Sequence, residues 1–593
     1  MTIATHTQTT NDSFPVVTIP KLGSVRGVLN QDTDNKVARF LNVPFAVVEE
    51  RWRPAIKVRP WDGIRDATKF GPMSPQRTEN NAFLSLFLGV PEKFVFEEDM
   101  SERDCLNCNI FMPASAVGNS ENELPVLVWI HGGGLRNDAN SIPLYECSNL
   151  VLESIEQNKP MIVVSLNYRL NYLGFLSSKE LLLDAQHHVA AKTLASANQQ
   201  QHREWYDGSV GNWGVLDAIM GLEWIQAHIR AFSGNPDRVT IMGESGGSIL
   251  VSYLHLIPQT RGLFKRSILQ SGAASSMPEM YTDQEGQEMF DRLCRLCKIP
   301  EDLEPLEKVA RLREVDVEMF VDDMNKAPFI LFRPTVDGVV FKEDSRVTVG
   351  HAERYDPQLE WVMTGNTRDE GTMFVQQLGA STLQELDPFI TRLCPPTSRP
   401  QFNALFGVPK TDTEVQQLSV RLTGDGGYRF PTLQTSEAIK AHPTARLTRY
   451  HFDRHTEKFE SMMPGCGAHH GVDLFFVFGN KMSKTILSEE EIAFVKKVQS
   501  VWIEFVTAAS PEASSLPKVT GSVLPSAGEA VKEGGEGEAI VFGSDLKVSK
   551  GAVERLSVEE VDFWRTSFAY AAEQAKLGRA SDVGFNLAKS IKP

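Results

Sequence analysis

The chain has 593 residues and a formal net charge of −16 at pH 7. An acidic surface of this size argues against binding to nucleic acids and to anionic membranes. Hydrophobic residues make up 41% of the chain and aromatic residues 9%, which is ordinary for a soluble globular protein with a large core.

The two ends of the chain carry no recognisable targeting signal. The first ten residues are polar and lack the basic and apolar regions of a secretory leader. No run of about 18 apolar residues is present, so we expect no stable membrane insertion. Seven cysteines form an odd and sparse set, which fits reduced thiols. We therefore expect a cytoplasmic protein whose residues 1–15 form a disordered tail.

Short β-prone runs alternate with turns between residues 16 and 47 and predict a small antiparallel meander. Residues 74–104 then form a long connection with an apolar patch at 83–90. A long connection with apolar residues either packs under the fold or forms a mobile lid over a site. The candidate lid or substrate-pocket residues are Phe83, Leu86, Phe87 and Leu88.

The segment 124–130 is almost entirely apolar, as expected for a central strand buried on both faces. His131, Gly132, Gly133 and Gly134 follow it directly. Three glycines after a buried strand leave backbone N–H groups unshielded, which is the arrangement that supplies oxyanion donors in esterases and lipases. A simple glycine-rich turn is the alternative. We take Gly133 and Gly134 as candidate oxyanion donors, together with Gly246 further along the chain.

A second buried strand is predicted at 160–166, and a helix at 216–232. The polar segment 182–212 between them is expected to be a surface loop. Further strands are predicted at 238–242, 267–270 and 361–365. Strands that alternate with helices predict an α/β protein with a large, mostly parallel, twisted central sheet flanked by helices.

The stretch Gly243-Glu244-Ser245-Gly246-Gly247 lies between a predicted strand and a predicted helix. Strand, tight glycine-rich turn and helix form the setting of a nucleophile elbow, in which a strained turn exposes a serine at a helix N-terminus. Larger side chains two residues on either side of Ser245 would collide with the neighbouring strand and helix. The motif alone is weak, because roughly 0.1–0.3 chance matches are expected in a chain of this length.

Candidates for an acid and a base follow further along the chain. Asp369 and Glu370 come just after the strand 361–365, and both are possible acids. For Asp369 a solvated acidic loop is the favoured interpretation. His469 and His470 lie in a glycine-rich loop that leads into an apolar segment, and both are possible bases. The order serine, acid, histidine is that of α/β-hydrolases and differs from the two main serine-protease orders.

The rest of the chain predicts one large unit with additions. Residues 280–345 and 377–445 are helical and charged, and we expect them to be insertions that cap the sheet. Residues 511–537 are rich in Gly, Ser, Pro and Glu and predict a flexible surface loop. The resulting division is one domain over 16–570 and a helical C-terminal tail over 571–593.

Several ordered stretches resemble the type-B carboxylesterase/lipase family, which includes cholinesterases and fungal lipases, and suggest an intracellular fungal member. The stretches lie at 23–27, 40–46, 104–110, 165–170, 211–217, 243–247 and 563–564. The resemblance covers almost the whole length and implies an α/β-hydrolase fold. It implies Ser245 as nucleophile, Glu370 as acid because it precedes Gly371, and His470 as base because it precedes Gly471 and lies three residues before Asp473.

The departures from the family pattern are also informative. The resemblance implies a first disulfide from Cys105 to a position now held by Ser74, and a second from Cys297 to the neighbourhood of Ala310. In each of these implied disulfides, one of the two cysteines is missing, which agrees with a reducing compartment. Residues 75–104 contain no tryptophan, so the aromatic choline site of cholinesterases has no counterpart there.

The sequence therefore predicts a serine esterase that needs no metal or organic cofactor and acts on small-molecule esters. A lipase, or a lactone hydrolase of secondary metabolism, would use the same machinery. An inactive binding protein of the same fold is a third possibility, but all three triad positions are filled.

Overall fold

The structure is a computed structural model that describes residues 14–76, 99–119, 123–196, 205–276, 280, 283–326, 332–374, 379–519, 539–551 and 556–576. The predicted lid residues Phe83, Leu86, Phe87 and Leu88 lie outside the described residues, and so does most of the predicted loop at 511–537. None of the described helices is long and apolar enough to cross a lipid bilayer.

The described strands are numbered here in chain order. They are β1 Val16–Ile19, β2 Gly23–Arg26, β3 Val28–Leu29, β4 Val37–Pro44, β5 Ala46–Val47, β6 Ile56–Lys57, β7 Ile64–Asp66, β8 Asn107–Pro113, β9 Leu124–Ile130, β10 Ile162–Leu166, β11 Gly234–Glu244, β12 Arg266–Gln270, β13 Trp361–Thr367, β14 Arg446–Phe452, β15 Ala539–Phe542 and β16 Val548–Gly551.

The described α-helices are numbered in the same way, and one π-helix, Asp425–Arg429, connects α12 to α13. They are α1 Ser148–Glu156, α2 Asn171–Phe175, α3 Lys179–Ser196, α4 Trp213–His228, α5 Gly246–Leu256, α6 Asp283–Leu296, α7 Pro305–Glu314, α8 Glu318–Lys326, α9 Ser345–Thr348, α10 Leu383–Leu393, α11 Arg399–Phe406, α12 Asp412–Gly424, α13 Phe430–Ala441, α14 Glu457–Met462, α15 Asp473–Phe478, α16 Ser483–Ile486, α17 Glu489–Thr507 and α18 Val558–Lys576.

The centre of the molecule is an 11-stranded sheet in the order β16-β15-β14-β13-β12-β11-β9-β10-β8-β4-β3. The seven strands from β15 to β10 pair in parallel, and the strands at both edges pair antiparallel. The predicted α/β fold with a mostly parallel central sheet is thereby confirmed. Because parallel strands end at the same edge, loops distant in sequence meet at their carboxyl ends.

Both faces of this sheet are covered by apolar packing. Along β9, Val126, Val128 and Ile130 belong to the core on the side of α4 and α5. Leu127 and Trp129 belong to the core on the side of α1, α15 and α17. Side chains alternate across a strand, so a strand buried on both faces must be apolar at nearly every position, as β9 is. Each fully buried large apolar side chain stabilises the fold by about 1.5–3 kcal/mol.

The predicted antiparallel pairing of the N-terminal strands is present between β1 and β2 and between β3 and β4. These strands are not a separate unit, because β4 joins the large sheet beside β8 and β2 also pairs in parallel with β7. The predicted loop 182–212 begins instead within helix α3, which contains good helix formers such as alanine and leucine. Asp184 ties this helix to Arg53 and to Arg313, the latter at 2.7 Å.

The insertions and thiols agree with the sequence-based expectations. Segments 280–345 and 377–445 contain helices, as predicted. All seven cysteines are free thiols, and all but Cys297 are buried. The last described helix, α18, runs across residue 570, and the division into a domain and a tail stays a prediction.

Candidate active site

Ser245 lies at the apex of the turn between β11 and α5. Its backbone has φ 54° and ψ −126°, which is unfavourable for a residue with a side chain. A Cβ at position 243 would lie 2.4 Å from the carbonyl oxygen of Gly247. A Cβ at position 247 would lie 2.1 Å from the carbonyl oxygen of Ile130. The turn therefore requires glycine at both positions, and the predicted collision is confirmed.

The glycine loop after β9 lies against the beginning of α5. A Cβ at position 246 would be 2.8 Å from the backbone nitrogen of Gly134, and one at position 132 would be 3.3 Å from Cβ of Ser245. Gly133 and Gly134 have φ of 83° and 63°. Within the described parts of the chain, no residue accepts a hydrogen bond from the N–H of Gly133, Gly134 or Gly246. These three N–H groups are therefore free to bind an anion beside Ser245, where the dipole of α5 also favours negative charge.

His131 supports this loop as a neutral side chain. Its imidazole stacks on the Tyr168 ring with centroids 4.6 Å apart, and the Tyr168 hydroxyl donates to the His131 carbonyl oxygen at 3.0 Å. Burial lowers the pKa of His131 to about 3. The ring therefore stays uncharged near neutral pH and acts in packing.

Glu370 and His470 are joined by a short hydrogen bond. Nδ1 of His470 lies 2.6 Å from Oε2 of Glu370, although the residues are 100 positions apart. The other carboxylate oxygen of Glu370 accepts from the Thr367 N–H at 2.8 Å, and the side chain is fully buried. Both oxygens are thus held in place, which orients the imidazole and leaves its Nε2 toward the elbow.

His469 and Asp369, the alternative candidates for base and acid, lie beside the Glu370–His470 pair but are not part of it. His469 is buried, and its Nδ1 lies 2.9 Å from the carbonyl oxygen of His470. Burial lowers the pKa of His469 to about 4, so the ring is neutral at pH 7. Asp369 is ion-paired with Arg368, so it is not the free, solvated acid that was expected.

Glu244 is a site residue that sequence reasoning missed. Its Oε1 lies 3.1 Å from Nε2 of His470, so the imidazole is placed between two carboxylates. Burial raises the pKa of Glu244 to about 8. Burial alone would lower the pKa of His470, but Glu244 and Glu370 outweigh it and raise the pKa above its ordinary value. The elbow motif leaves this position open, so the pattern contained no signal for it.

Two aromatic rings enclose the imidazole. The Phe374 ring meets His470 edge-on with centroids 5.0 Å apart, and the Tyr428 ring lies at 4.7 Å. Tyr428 belongs to the π-helix Asp425–Arg429, a type of irregularity that is frequent at functional sites. Neither ring was identified from the sequence, because nothing in their spacing relates them to residue 470.

Asp473 anchors the helix that follows the His470 loop. Its Oδ2 accepts hydrogen bonds from Gln270 Nε2 at 2.9 Å and from the Tyr450 hydroxyl at 3.1 Å. Burial raises the pKa of Asp473 to about 6. The ends of β12 and β14 are thereby linked to the start of α15.

The arrangement contains the parts required for acyl transfer. Ser245 can act as nucleophile, His470 as base, Glu370 as the residue that orients it, and three backbone N–H groups can stabilise an oxyanion. Within the described ranges, no cluster of three or more His, Cys, Asp or Glu residues is suited to hold a metal ion.

Comparisons with known proteins identify the family to which the chain is similar. A model of the carboxylesterase family matches residues 13–184 and 206–527. Carboxylesterase 1D of Mus musculus is 30% identical over 587 residues, which cover 93% of both chains. Para-nitrobenzyl esterase of Bacillus subtilis (strain 168) is 28% identical over 509 residues, covering 83% of this chain and 90% of that protein. The solved structure of a thermophilic PNB esterase matches with a TM-score of 0.68 and 26% identity, over 90% of this chain and 97% of the other.

Proposed function

The chain belongs to the carboxylesterase family and is a carboxylic ester hydrolase, and we propose that it cleaves small-molecule esters through an acyl-enzyme on Ser245. The observation that carries the proposal is the 2.6 Å bond between His470 and Glu370 beside the elbow. It supplies a base that is oriented by an acid, which is what activation of a serine hydroxyl requires.

In the first half of the reaction, Ser245 Oγ attacks the ester carbonyl carbon while Nε2 of His470 accepts the hydroxyl proton. The carbonyl π-bond opens, and the negative charge on the former carbonyl oxygen is received by the N–H groups of Gly133, Gly134 and Gly246. His470 then gives its proton to the alkoxy oxygen, the C–O bond breaks, and the alcohol leaves. Glu370 stabilises the imidazolium that exists between these two proton transfers.

In the second half, a water molecule attacks the acyl-enzyme carbonyl while His470 again accepts a proton. The tetrahedral intermediate collapses, the bond to Ser245 Oγ breaks, and the serine recovers its proton from His470. One ester and one water thus become one acid and one alcohol, with the enzyme unchanged.

The backbone donors are expected to supply a large part of the rate enhancement. Removing one oxyanion donor in enzymes of this type raises the barrier by about 2.7–4 kcal/mol. The donors here belong to backbone positions whose φ angles are already fixed by the fold, so they need little reorganisation as charge develops.

Replacement of Ser245 by alanine tests the proposal. Ser245→Ala should lower kcat for a p-nitrophenyl acyl ester by at least about 10⁴-fold, because the residue that forms the covalent intermediate is gone. Ser252→Ala is a matched control in the helix that follows Ser245, because its buried hydroxyl has no hydrogen-bond partner among the described residues and its loss should leave kcat unchanged. Turnover by Ser245→Ala at the wild-type rate would refute the proposal.

A further inference from the structure

We propose that Asp369 is a positioning residue that holds the loop carrying His470 against the loop carrying Glu370. The inference rests on the proposed function, because it concerns the geometry of the same acid–base pair. Asp369 has no role in the catalytic scheme above, yet it adds hydrogen bonds between the two loops beside the Glu370–His470 bond.

Two hydrogen bonds join these loops in opposite directions. The Asp369 N–H donates to the Ala468 carbonyl oxygen at 2.9 Å. The Ala468 N–H donates back to Oδ2 of Asp369, also at 2.9 Å. Asp369 and His469 accordingly form an isolated β-bridge. The residue just before the acid is thus fixed to the residue two positions before the base.

The close approach of the two loops depends on glycine. Gly467 has φ 59°, and a Cβ at this position would lie 2.2 Å from Oδ2 of Asp369. The carboxylate therefore occupies the space where a side chain at position 467 would be. This contact fixes the distance between the loops as well as their register.

Charged partners orient the Asp369 carboxylate. Arg368 Nε donates to Oδ2 of Asp369 at 2.7 Å, and Arg368 Nη1 donates to Oδ1 of Asp453 at 2.6 Å. Arg429, at the end of the π-helix, donates to the Arg368 carbonyl oxygen. About a quarter of the Arg368 and Asp369 side chains is exposed, so solvent weakens the ion pair itself. Its main effect is to aim Oδ2 at the Ala468 N–H.

A hydroxyl adds a second link at the same place. Thr372 Oγ1 lies 2.8 Å from the carbonyl oxygen of Asp369 and 3.2 Å from that of Cys466. The segment before Glu370 and the segment before His470 are therefore linked by a side chain as well as by the backbone. A displacement of about 1 Å in a catalytic group can lower the rate by about 10²-fold. Loss of the hydrogen bonds between the two loops should therefore lower kcat more than it changes KM.

The test measures kcat and KM for a p-nitrophenyl ester in three purified full-length variants. Asp369→Ala removes the acceptor for the Ala468 N–H, and we expect kcat to fall at least ten-fold with KM within about two-fold. Asp369→Asn keeps an acceptor oxygen at the same reach, so kcat should recover to within about three-fold of wild type. Asp356→Ala is the control: this buried carboxylate also accepts from backbone N–H groups, of Gly262 at 2.7 Å and of Gln358 at 2.8 Å, at a distance from the site.

A spectroscopic readout separates positioning from general stability. The proton on Nδ1 of His470 should give a downfield ¹H NMR signal, identified by its loss in Glu370→Gln. We expect this signal to broaden or vanish in Asp369→Ala and to persist in Asp369→Asn and Asp356→Ala. Asp369→Ser, whose hydroxyl is too short to reach the Ala468 N–H, should behave like alanine and serves if Asp369→Ala does not fold.

The inference is overturned if Asp369→Ala or Asp369→Ser retains wild-type kcat and the downfield signal. It is also overturned if Asp356→Ala lowers kcat as much as Asp369→Ala, because the effect would then be general destabilisation. Failure of the proposed function would look different. The Ser245→Ala variant would then hydrolyse the ester at the wild-type rate, whatever the result for the Asp369 variants.

Discussion

Two glutamates contact opposite nitrogens of one imidazole, and they differ in how the protein holds them. Glu370 receives hydrogen bonds on both oxygens, from Thr367 N–H and from His470. Oε1 of Glu244 is buried, lies 3.1 Å from Nε2 of His470 and receives no well-aligned hydrogen bond from the described residues, and burial raises the pKa of this group to about 8. Near neutral pH the two sites therefore titrate as a pair, in which a negative Glu244 favours the imidazolium form of His470.

Glu244→Gln should shift the acid limb of the pH profile of kcat/KM to lower pH. The base must be neutral to accept a proton, and a neighbouring carboxylate favours its charged form, so removal of that carboxylate lowers the pKa of His470. The shift is measured from pH–rate profiles of the two enzymes on the same p-nitrophenyl ester. Glu491→Gln is the control, because this buried carboxylate caps α17 and does not contact His470. An unchanged acid limb would show that Glu244 does not affect the base.

Residue roles differed in how far the sequence could predict them. Ser245 could be singled out from the elbow motif, whereas Glu370 and His470 were chosen over Asp369 and His469 only by the family resemblance. The roles of Glu244 and Asp369 could not, because each depends on the approach of loops about 100 or more residues apart. Asp369 was expected to be solvated. The sequence around an acidic loop residue does not show that a backbone N–H of another loop, here that of Ala468, will donate to its carboxylate.

The strand–turn–helix element around Ser245 is held by contacts that leave no room for a methyl group. Gly247 packs against the end of β9, and Gly246 packs against the glycine loop that follows the same strand. The element that exposes the nucleophile is therefore also the element that positions the oxyanion donors. Its local sequence pattern indicated this element, because the glycine spacing reflects these backbone contacts, but the pattern needed the glycine loop after β9 and the later acid and histidine beside it.

Gly247→Ala should destabilise the protein strongly and abolish activity. The added Cβ would lie 2.1 Å from the Ile130 carbonyl oxygen, so β9 and α5 must separate, at a cost of about 1–3 kcal/mol or more. Thermal unfolding and p-nitrophenyl ester turnover measure the two effects. Gly350→Ala is the control, since a Cβ there meets no atom of the described residues within 4 Å and should leave both unchanged. A Gly247→Ala variant with wild-type stability would contradict the tight packing of the elbow.

Other elements show where local patterns are insufficient. Part of helix α3 was predicted as a loop because the segment 182–212 as a whole is polar, but its Asp184 is ion-paired with Arg53 and Arg313 on other segments. The π-helix at Asp425–Arg429 contains two adjacent glycines, Gly426 and Gly427, which would ordinarily suggest a helix end. It is stabilised by contacts such as the ion pair between Asp425 and Arg429, and no periodicity predicts it.

At the scale of the whole molecule, the site depends on a sheet buried on both faces. The loops that carry Gly133, Ser245 and Glu370 follow β9, β11 and β13, and they meet because the strands are parallel. The chain order and apolar character of these strands were predictable, whereas the antiparallel edges were not. Edge strands such as β15 and β16 are short, and their pairing is decided by distant partners.

Acid sensitivity of the whole fold should depend on buried neutral histidines. His255 is 3% exposed, its Nε2 lies 2.8 Å from the Ser267 hydroxyl, and burial lowers its pKa to about 3 from a usual 6.5. The unfolded state therefore binds a proton that the folded state does not between these values, and stability falls as pH falls. His255→Gln should make the loss of unfolding free energy between pH 6 and 5 smaller by roughly 1 kcal/mol.

Urea unfolding at the two pH values measures this difference. His351→Gln is the control, because it makes the same substitution at a histidine whose side chain is 56% exposed. Parallel pH dependences for the wild type and His255→Gln would contradict the expectation.

The central claim is that Ser245 is the nucleophile, and active-site labelling tests it most directly. The full-length enzyme is incubated with a fluorophosphonate, digested, and analysed by peptide mass spectrometry. We expect one phosphonylated residue, Ser245, loss of esterase activity in proportion to labelling, and no adduct in Ser245→Ala. An adduct on a different residue that tracks the loss of activity, or an active enzyme that is not labelled at Ser245, would contradict it.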